Sequence, residues 1–255
     1  MLKTSISRYV LMISFILMAG CANGEGNSSL EQEQPLISSN ITTQKDEETA
    51  KEQAKLLEMA TKSESVTVLV NRQFPLPDDF APNDLVYPDV PFLFDDKIEK
   101  RMLRQEAATA LEQLFAGAKA DGIKLIGVSA YRSHRTQTGL FNHYVERDGE
   151  EAAKKYSAVP GTSEHETGLA IDVTGGDGTC AAESCFADKE EAKWLAENSA
   201  DYGFIIRYPD GKEEMTGYKY EPWHLRYVGV DLAKEVTSQG LTLEEYYQVI
   251  PVSNE

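Results

Sequence analysis

The stretch Ser163-Glu-His-Glu-Thr-Gly-Leu-Ala-Ile-Asp-Val173 constrains this chain more than any other. Leu169, Ile171 and Val173 alternate there with Gly168, Ala170 and Asp172, the period-two pattern of a short strand with one apolar face and one small, acidic face. His165 falls in the turn just ahead. An imidazole and a carboxylate are thereby offered to one point, and zinc accepts both. Alone the pair says little, because a solvated loop histidine and a strand-end aspartate give the same spacing. The second stretch, Tyr218-Lys-Tyr-Glu-Pro-Trp-His-Leu-Arg-Tyr-Val-Gly229, adds what is missing. From Trp223 it alternates again, with Trp223, Leu225 and Tyr227 on one face and His224 and Arg226 on the other. Pro222 biases Glu221 toward an extended conformation just before that strand. A catalytic zinc takes three protein ligands, keeps one position open and needs a base beside its water. His165, Asp172 and His224 supply the ligands and Glu221 the base.

Upstream, residues 123–128 read as a central strand that delivers Ser129-Ala-Tyr-Arg-Ser-His-Arg-Thr-Gln137 at its C-terminal end. Arg132 follows the strand directly, and its planar fork can grip a carboxylate through two parallel hydrogen bonds. Gln137 starts a helix over residues 136–147 and would point at the same pocket. His134 and His143 are expected to be exposed.

Three blocks in this order, Ser129 to Gln137, Ser163-x-His165-x-x-Gly168-x-Ala170-x-Asp172 and Glu221-Pro-Trp-His224, closely resemble the D-alanyl-D-alanine carboxypeptidases of the VanY type. The resemblance runs from about Asn71 to about Gly229. It implies Zn2+ on His165, Asp172 and His224, with Glu221 as catalytic base and then acid. It also implies that Arg132, Gln137 and Ser163 read the free C-terminal carboxylate of a peptidoglycan stem peptide ending in D-Ala-D-Ala. Arg132 would further steady the carbonyl oxygen. Ser163 has an alternative role, capping the turn before His165. Two other functions stay open: an L,D-carboxypeptidase acting on tetrapeptide stems, and a non-catalytic zinc-bearing cell-wall-binding module. The presence of Glu221 speaks against the module, which needs no base. A set of two His and one Asp also suits other divalent ions. A serine hydrolase is disfavoured, since no Gly-x-Ser-x-Gly or Ser-x-x-Lys stands in a suitable context.

The chain opens with Lys3 and Arg8, an apolar run from Tyr9 to Met18, and Ala19-Gly20-Cys21. The run is short for a membrane span, and the layout is that of a secretory signal. Small residues before a cysteine resemble a bacterial lipoprotein signal, although Met18 stands where leucine is usual. Residues 1–21 are therefore expected to be a lipoprotein-type signal peptide, with lipid on Cys21 tethering an extracytoplasmic protein to the cell membrane. Ordinary secretion and an uncleaved anchor are the alternatives. Residues 22–65 are too polar to fold alone and read as a tether. Within it, residues 46–61 allow a solvated helix through Ala50, Ala54, Leu57 and Ala60.

Residues 66–255 suit one domain, expected as a monomer. The net charge of -17 argues against nucleic acid as a partner, since phosphate binding needs clustered Lys and Arg. With Cys21 lipidated, Cys180 and Cys185 remain, four residues between them. A small disulfide is expected in an oxidising compartment, with zinc thiolates as the alternative.

Residues 66–70 read as a strand and 71–85 as an extended, Pro-rich lead-in that also resembles the family's. Residues 97–121 read as a long helix ended by Gly122, and 190–202 as a second helix ended by Gly203. A strand at 204–208 and a turn at 209–212 follow, then helices at 231–239 and 242–249. Strands and helices segregate. The expected fold is α+β, a single domain with a small antiparallel sheet flanked by helices, and the resemblance implies the fold of the hedgehog and D-Ala-D-Ala peptidases.

Overall fold

The computed structural model describes residues 51–249 apart from 52 and 155. The expected signal, Cys21 and most of the expected tether lie outside the described residues. Among them, no helix is long and apolar enough to cross a membrane.

Four strands form the central sheet: β3 (Leu125–Ser129), β4 (Ala170–Gly175), β5 (Phe204–Ile206) and β6 (His224–Tyr227). Their order is β3-β4-β6-β5 and every pairing is antiparallel, as the segregated pattern predicts. The apolar alternation fixes the register, because a slip of one residue would turn Ile171 and Leu225 out of the core. In that register Asp172 stands directly opposite His224 on one side and Ser129 on the other.

The apolar face of the sheet packs on α2 (Gln105–Ala120), whose Ala107, Leu111, Leu114 and Ala118 are buried with Ile171, Val173 and Leu225. A second core lies between Ile205, Val228, α7 (Val230–Gln239) and α8 (Leu243–Tyr246). Leu56, Met59 and Ala60 join it from α1, whose described part includes residues 53–61. The stripe expected to be solvated thus docks in part: Ala60 is fully buried while Leu57 is exposed.

Two expectations about local structure are corrected. Residues 97–121 are not one helix. A 3-10 turn (Glu99–Arg101) and strand β2 (Leu103–Arg104) precede α2, and β2 pairs with β1 (Leu85–Val86). Tertiary partners claim the backbone groups a longer helix would use: Arg104 N–H donates to Gly168, Gln105 N–H to Asp84, and Lys100 C=O accepts from Ala130. Residues 66–70 pair with no strand either. The Val66 and Val68 carbonyls accept from the Arg226 guanidinium at 3.1 and 2.6 Å, and the Thr67 carbonyl accepts from the Tyr247 hydroxyl at 2.6 Å. Side chains satisfy there what a neighbouring strand otherwise would.

Candidate metal centre and active site

The turn that carries His165 is a 3-10 helix (Glu164–Thr167) ended by Gly168 at φ 69°. A side chain at Gly168 would be strained by that φ, and its Cβ would stand 2.9 Å from Leu85 and 3.0 Å from Arg104. Two hydrogen bonds fasten this turn to the end of β3. Arg132 N–H donates to the His165 carbonyl at 3.1 Å, and His165 Nδ1 donates to the Ala130 carbonyl at 2.7 Å. The second bond leaves Nε2 free to face Asp172 Oδ2 at 3.3 Å.

His224 arrives from the other side. Its Nδ1 lies 3.0 Å from Asp172 Oδ1, and its ring centroid is 5.0 Å from that of His165. Ligand atoms of His165, Asp172 and His224 all lie within 4.8 Å of one another, and all three residues are buried. Tetrahedral zinc with bonds near 2.0–2.1 Å separates its ligand atoms by about 3.4 Å; the two Asp172 oxygens stand 3.0 Å from His224 Nδ1 and 3.3 Å from His165 Nε2, close to that separation. Zinc is the metal this donor set fits, and each imidazole nitrogen turned away from the cluster already has an acceptor, as metal-binding histidines require.

The electrostatics are those of a cation site. Burial opposes the Asp172 carboxylate, but His165 and His224 outweigh it and hold its pKa well below the usual range. Burial likewise opposes charge on His224, yet hydrogen bonds to Asp172 and Glu164 push its imidazole up to about 10. His165, desolvated and near Arg132, is pushed down despite Asp172. Glu221 is held by its N–H bond to the Tyr208 carbonyl at 3.0 Å, and its Oε2 lies 4.0 Å from His224 Nδ1. Desolvation in the cleft raises Glu221 to about 7; His224 opposes the shift, and the Asp172 and Glu164 carboxylates add to it. A carboxyl poised there can accept and return a proton near neutral pH.

Arg132, Ser163, Glu221 and Trp223 line one cleft together with the cluster. The Ser163 hydroxyl makes no capping hydrogen bond to its turn. Gln137 is a correction. It is fully buried in α3 (His134–Asp148), its carbonyl accepts from Arg132 Nη1 at 2.9 Å, and its amide donates to the Ala158 carbonyl at 2.6 Å. Gln137 therefore stands behind Arg132 and aims it, and does not face the cleft. His134 is corrected too: it is half-buried, with Nδ1 2.9 Å from Glu166, which also accepts from Gly161 N–H. His143 is exposed as expected. Cys180 and Cys185 form the expected disulfide, and Ala182 in that small loop reaches the cleft wall.

Glu164 is the residue the sequence reading missed. It is fully buried, with Oε1 accepting from Arg207 Nε at 2.7 Å and from Arg226 Nη1 at 2.6 Å. Arg207 in turn grips Glu244 through two bonds of 2.9 and 2.6 Å, and Glu244 accepts from Asn71 at 3.0 Å. A signal was present in Arg226, which the alternation of β6 puts on the same face as His224 and which needs a buried anion there.

Two imidazoles and a carboxylate that could hold a metal ion, a second carboxyl beside them and a guanidinium in the same cleft are the kind of equipment that metal-dependent peptidases use. The chain belongs to the VanY D-alanyl-D-alanine carboxypeptidase family, whose model matches residues 100–230. It is 46% identical over 194 residues to the putative carboxypeptidase YodJ of Bacillus subtilis (strain 168), covering 76% of this chain and 71% of that one. A solved structure of the LdcB LD-carboxypeptidase, described as revealing the molecular basis of peptidoglycan recognition, aligns with TM-score 0.71 and 47% identity over 74% of this chain and 88% of its own. A mutant of the vancomycin-resistance D,D-pentapeptidase VanY, solved in complex with Zn(II), aligns with TM-score 0.56 and 38% identity, over 71% of this chain and 98% of its own.

Proposed function

We propose that this chain is a zinc-dependent D,D-carboxypeptidase that removes the C-terminal D-alanine from peptidoglycan stem peptides. One observation carries the reading: Glu221 lies beside the His165–Asp172–His224 cluster in a cleft that Arg132 also lines. Bound to those three side chains, zinc would supply Lewis acidity toward the attacking water and the scissile carbonyl. Glu221 takes the water's proton as the carbonyl is attacked and hands it to the departing D-alanine amine, so one carboxyl serves as base and then acid. Arg132, aimed by Gln137, receives the free C-terminal carboxylate through its fork. Ser163 offers its hydroxyl to the same end of the substrate. Membership of the VanY family supports the substrate class.

Glu221→Gln should keep its zinc and lose at least about a hundredfold in D-alanine release from a defined stem pentapeptide. Unchanged turnover with zinc in place would sink the mechanism; wall binding without any turnover in the wild type would point to the binding module. A second reading, L,D-cleavage of tetrapeptide stems, is favoured by the 47% identity to LdcB. Parallel assays on pentapeptide and tetrapeptide decide between them, since the two activities differ in the residue left at the new C-terminus.

The same reading has the enzyme act as a monomer outside the cytoplasm, tethered by lipid on Cys21 beside its substrate. The Cys180–Cys185 disulfide supports an oxidising compartment. Mass spectrometry of the mature N-terminus tests the tether: an unmodified Cys21, or cleavage elsewhere, would favour plain secretion.

A further inference from the structure

We infer that Glu166, with His134 as its partner, is a positioning residue for the carboxylate-reading end of the cleft: the pair fixes the segment that carries Arg132 against the segment that carries Ser163. The inference rests on the role proposed for Arg132 and Ser163 and extends it to what holds them in place. Both line the cleft, but they come from separate stretches, Arg132 just past β3 and Ser163 at the head of the 3-10 helix. Gln137 spans the gap, bonding Arg132 Nη1 and the Ala158 carbonyl. Glu166 spans it again. Its Oε1 accepts from Gly161 N–H at 2.9 Å, and its Oε2 lies 2.9 Å from His134 Nδ1.

Each oxygen of Glu166 therefore serves a different arm. His134 opens α3 two residues after Arg132, and Gly161 stands two residues before Ser163. Glu166 N–H also donates to the Ser163 carbonyl at 3.0 Å. The side chain is 3% exposed, and burial strengthens its hydrogen bonds. Its target on the second arm is itself fixed. Thr162 N–H and hydroxyl both close on the Val159 carbonyl, at 2.9 and 2.8 Å, and the Gly161 carbonyl accepts from Leu76 N–H at 2.8 Å. Gly161 holds φ 85°, and a Cβ there would meet the Leu76 carbonyl at 3.3 Å, so glycine alone presents that N–H easily. The metal ligands hang on other bonds, His165 on the Ala130 carbonyl and Asp172 with His224 on strand register. Loosening the Glu166 strut thus separates substrate binding from metal binding. A shift between Arg132 and Ser163 spoils the grip on a carboxylate while the cluster and Glu221 keep their places.

Steady-state kinetics of the full-length, zinc-loaded protein tests this. In Glu166→Ala, KM for the stem peptide should rise about tenfold and inhibition by free D-alanine should weaken to match, with kcat within about twofold. Zinc affinity by chelator competition should stay at the wild-type value. His134→Ala, which removes one arm only, should raise KM about threefold. Glu166→Gln keeps an acceptor for Gly161 N–H and a polar atom toward His134, and should bring KM back to within about twofold of the wild type. Glu166→Ala with an unchanged KM overturns the inference. So does a loss shared by kcat and zinc affinity, which would make Glu166 a support of the whole turn, or a Gln variant as impaired as the Ala variant. If Glu166→Ala does not fold, His134→Ala decides, and an unmoved KM there overturns the clamp. Arg132→Ala is the control: if it binds stem peptide and D-alanine like the wild type, the carboxylate reading beneath the clamp is what fails.

Discussion

The two histidines of the metal cluster are held by opposite kinds of partner. Behind His165 stands the Ala130 carbonyl, a neutral main-chain atom fixed by the end of β3. Behind His224 stands Glu164, one member of a charged network that runs through Arg207 and Arg226 to Glu244 and Asn71. A carbonyl set by strand register cannot be removed by substitution, and it adds no charge. A carboxylate strengthens its histidine but must be kept ionised by partners from distant segments. The His165 side is thus a local construction, while the His224 side depends on the closure of the whole domain.

The comparison can be broken most directly at the ligands. His165→Ala and His224→Ala should each lower zinc affinity on the order of a thousandfold, taking one ligand's share of the roughly 10–16 kcal/mol typical of closed zinc sites. Chelator competition reads both, and a variant that keeps wild-type affinity would remove that histidine from the site. The remote arm comes next. Glu244→Gln should destabilise the metal-free protein by about 3–5 kcal/mol in denaturant unfolding, because it strips a partner from fully buried Arg207. No loss of stability would show that the network is ornamental to the fold.

On the His165 side, Gln137→Ala should lower kcat/KM about tenfold or more, mainly through KM. It removes a hydrogen bond to a charged group, worth about 1.5–3 kcal/mol, and frees Arg132 from its aim. An unchanged KM would mean that Arg132 holds its place without Gln137. The smallest effect belongs to the loop that supports neither histidine. Replacing Cys180 and Cys185 together by Ser should cost up to about 2 kcal/mol of stability, as expected for so short a closed loop, with zinc affinity intact.

The legible parts of the molecule share a physical cause. The period-two alternations around Asp172 and His224 and the apolar positions of α2 and α7 report local periodicity against one core, and they are where the sequence puts them within a few residues. Element boundaries failed where distant backbone competes. Residues 97–104 carry helix-compatible spacing, yet Asp84, Ala130 and Gly168 take their hydrogen-bonding groups. Residues 66–70 carry strand-like residues, yet Arg226 and Tyr247 replace a neighbouring strand. Gln137 was placed near the right group but on its wrong side, because sequence spacing does not say whether a helix residue faces a cleft or backs the residue that does.

By itself the sequence determined the chemical inventory: Asp172 and His224 at strand positions, His165 in the turn before the first of those strands, Glu221 three residues before His224, Arg132 just past a strand, and a pair of cysteines close enough to join. Those choices depend on residue type and short-range period, which a linear chain carries openly. Tertiary structure alone decided which nitrogen of each histidine faces the cluster, that Gln137 serves Arg132, and that Glu164 is an anion behind His224. Each of those depends on a partner 5 to 60 positions away in the chain, brought to hydrogen-bonding distance only when the sheet closes and burial makes an unpaired charge too costly to keep.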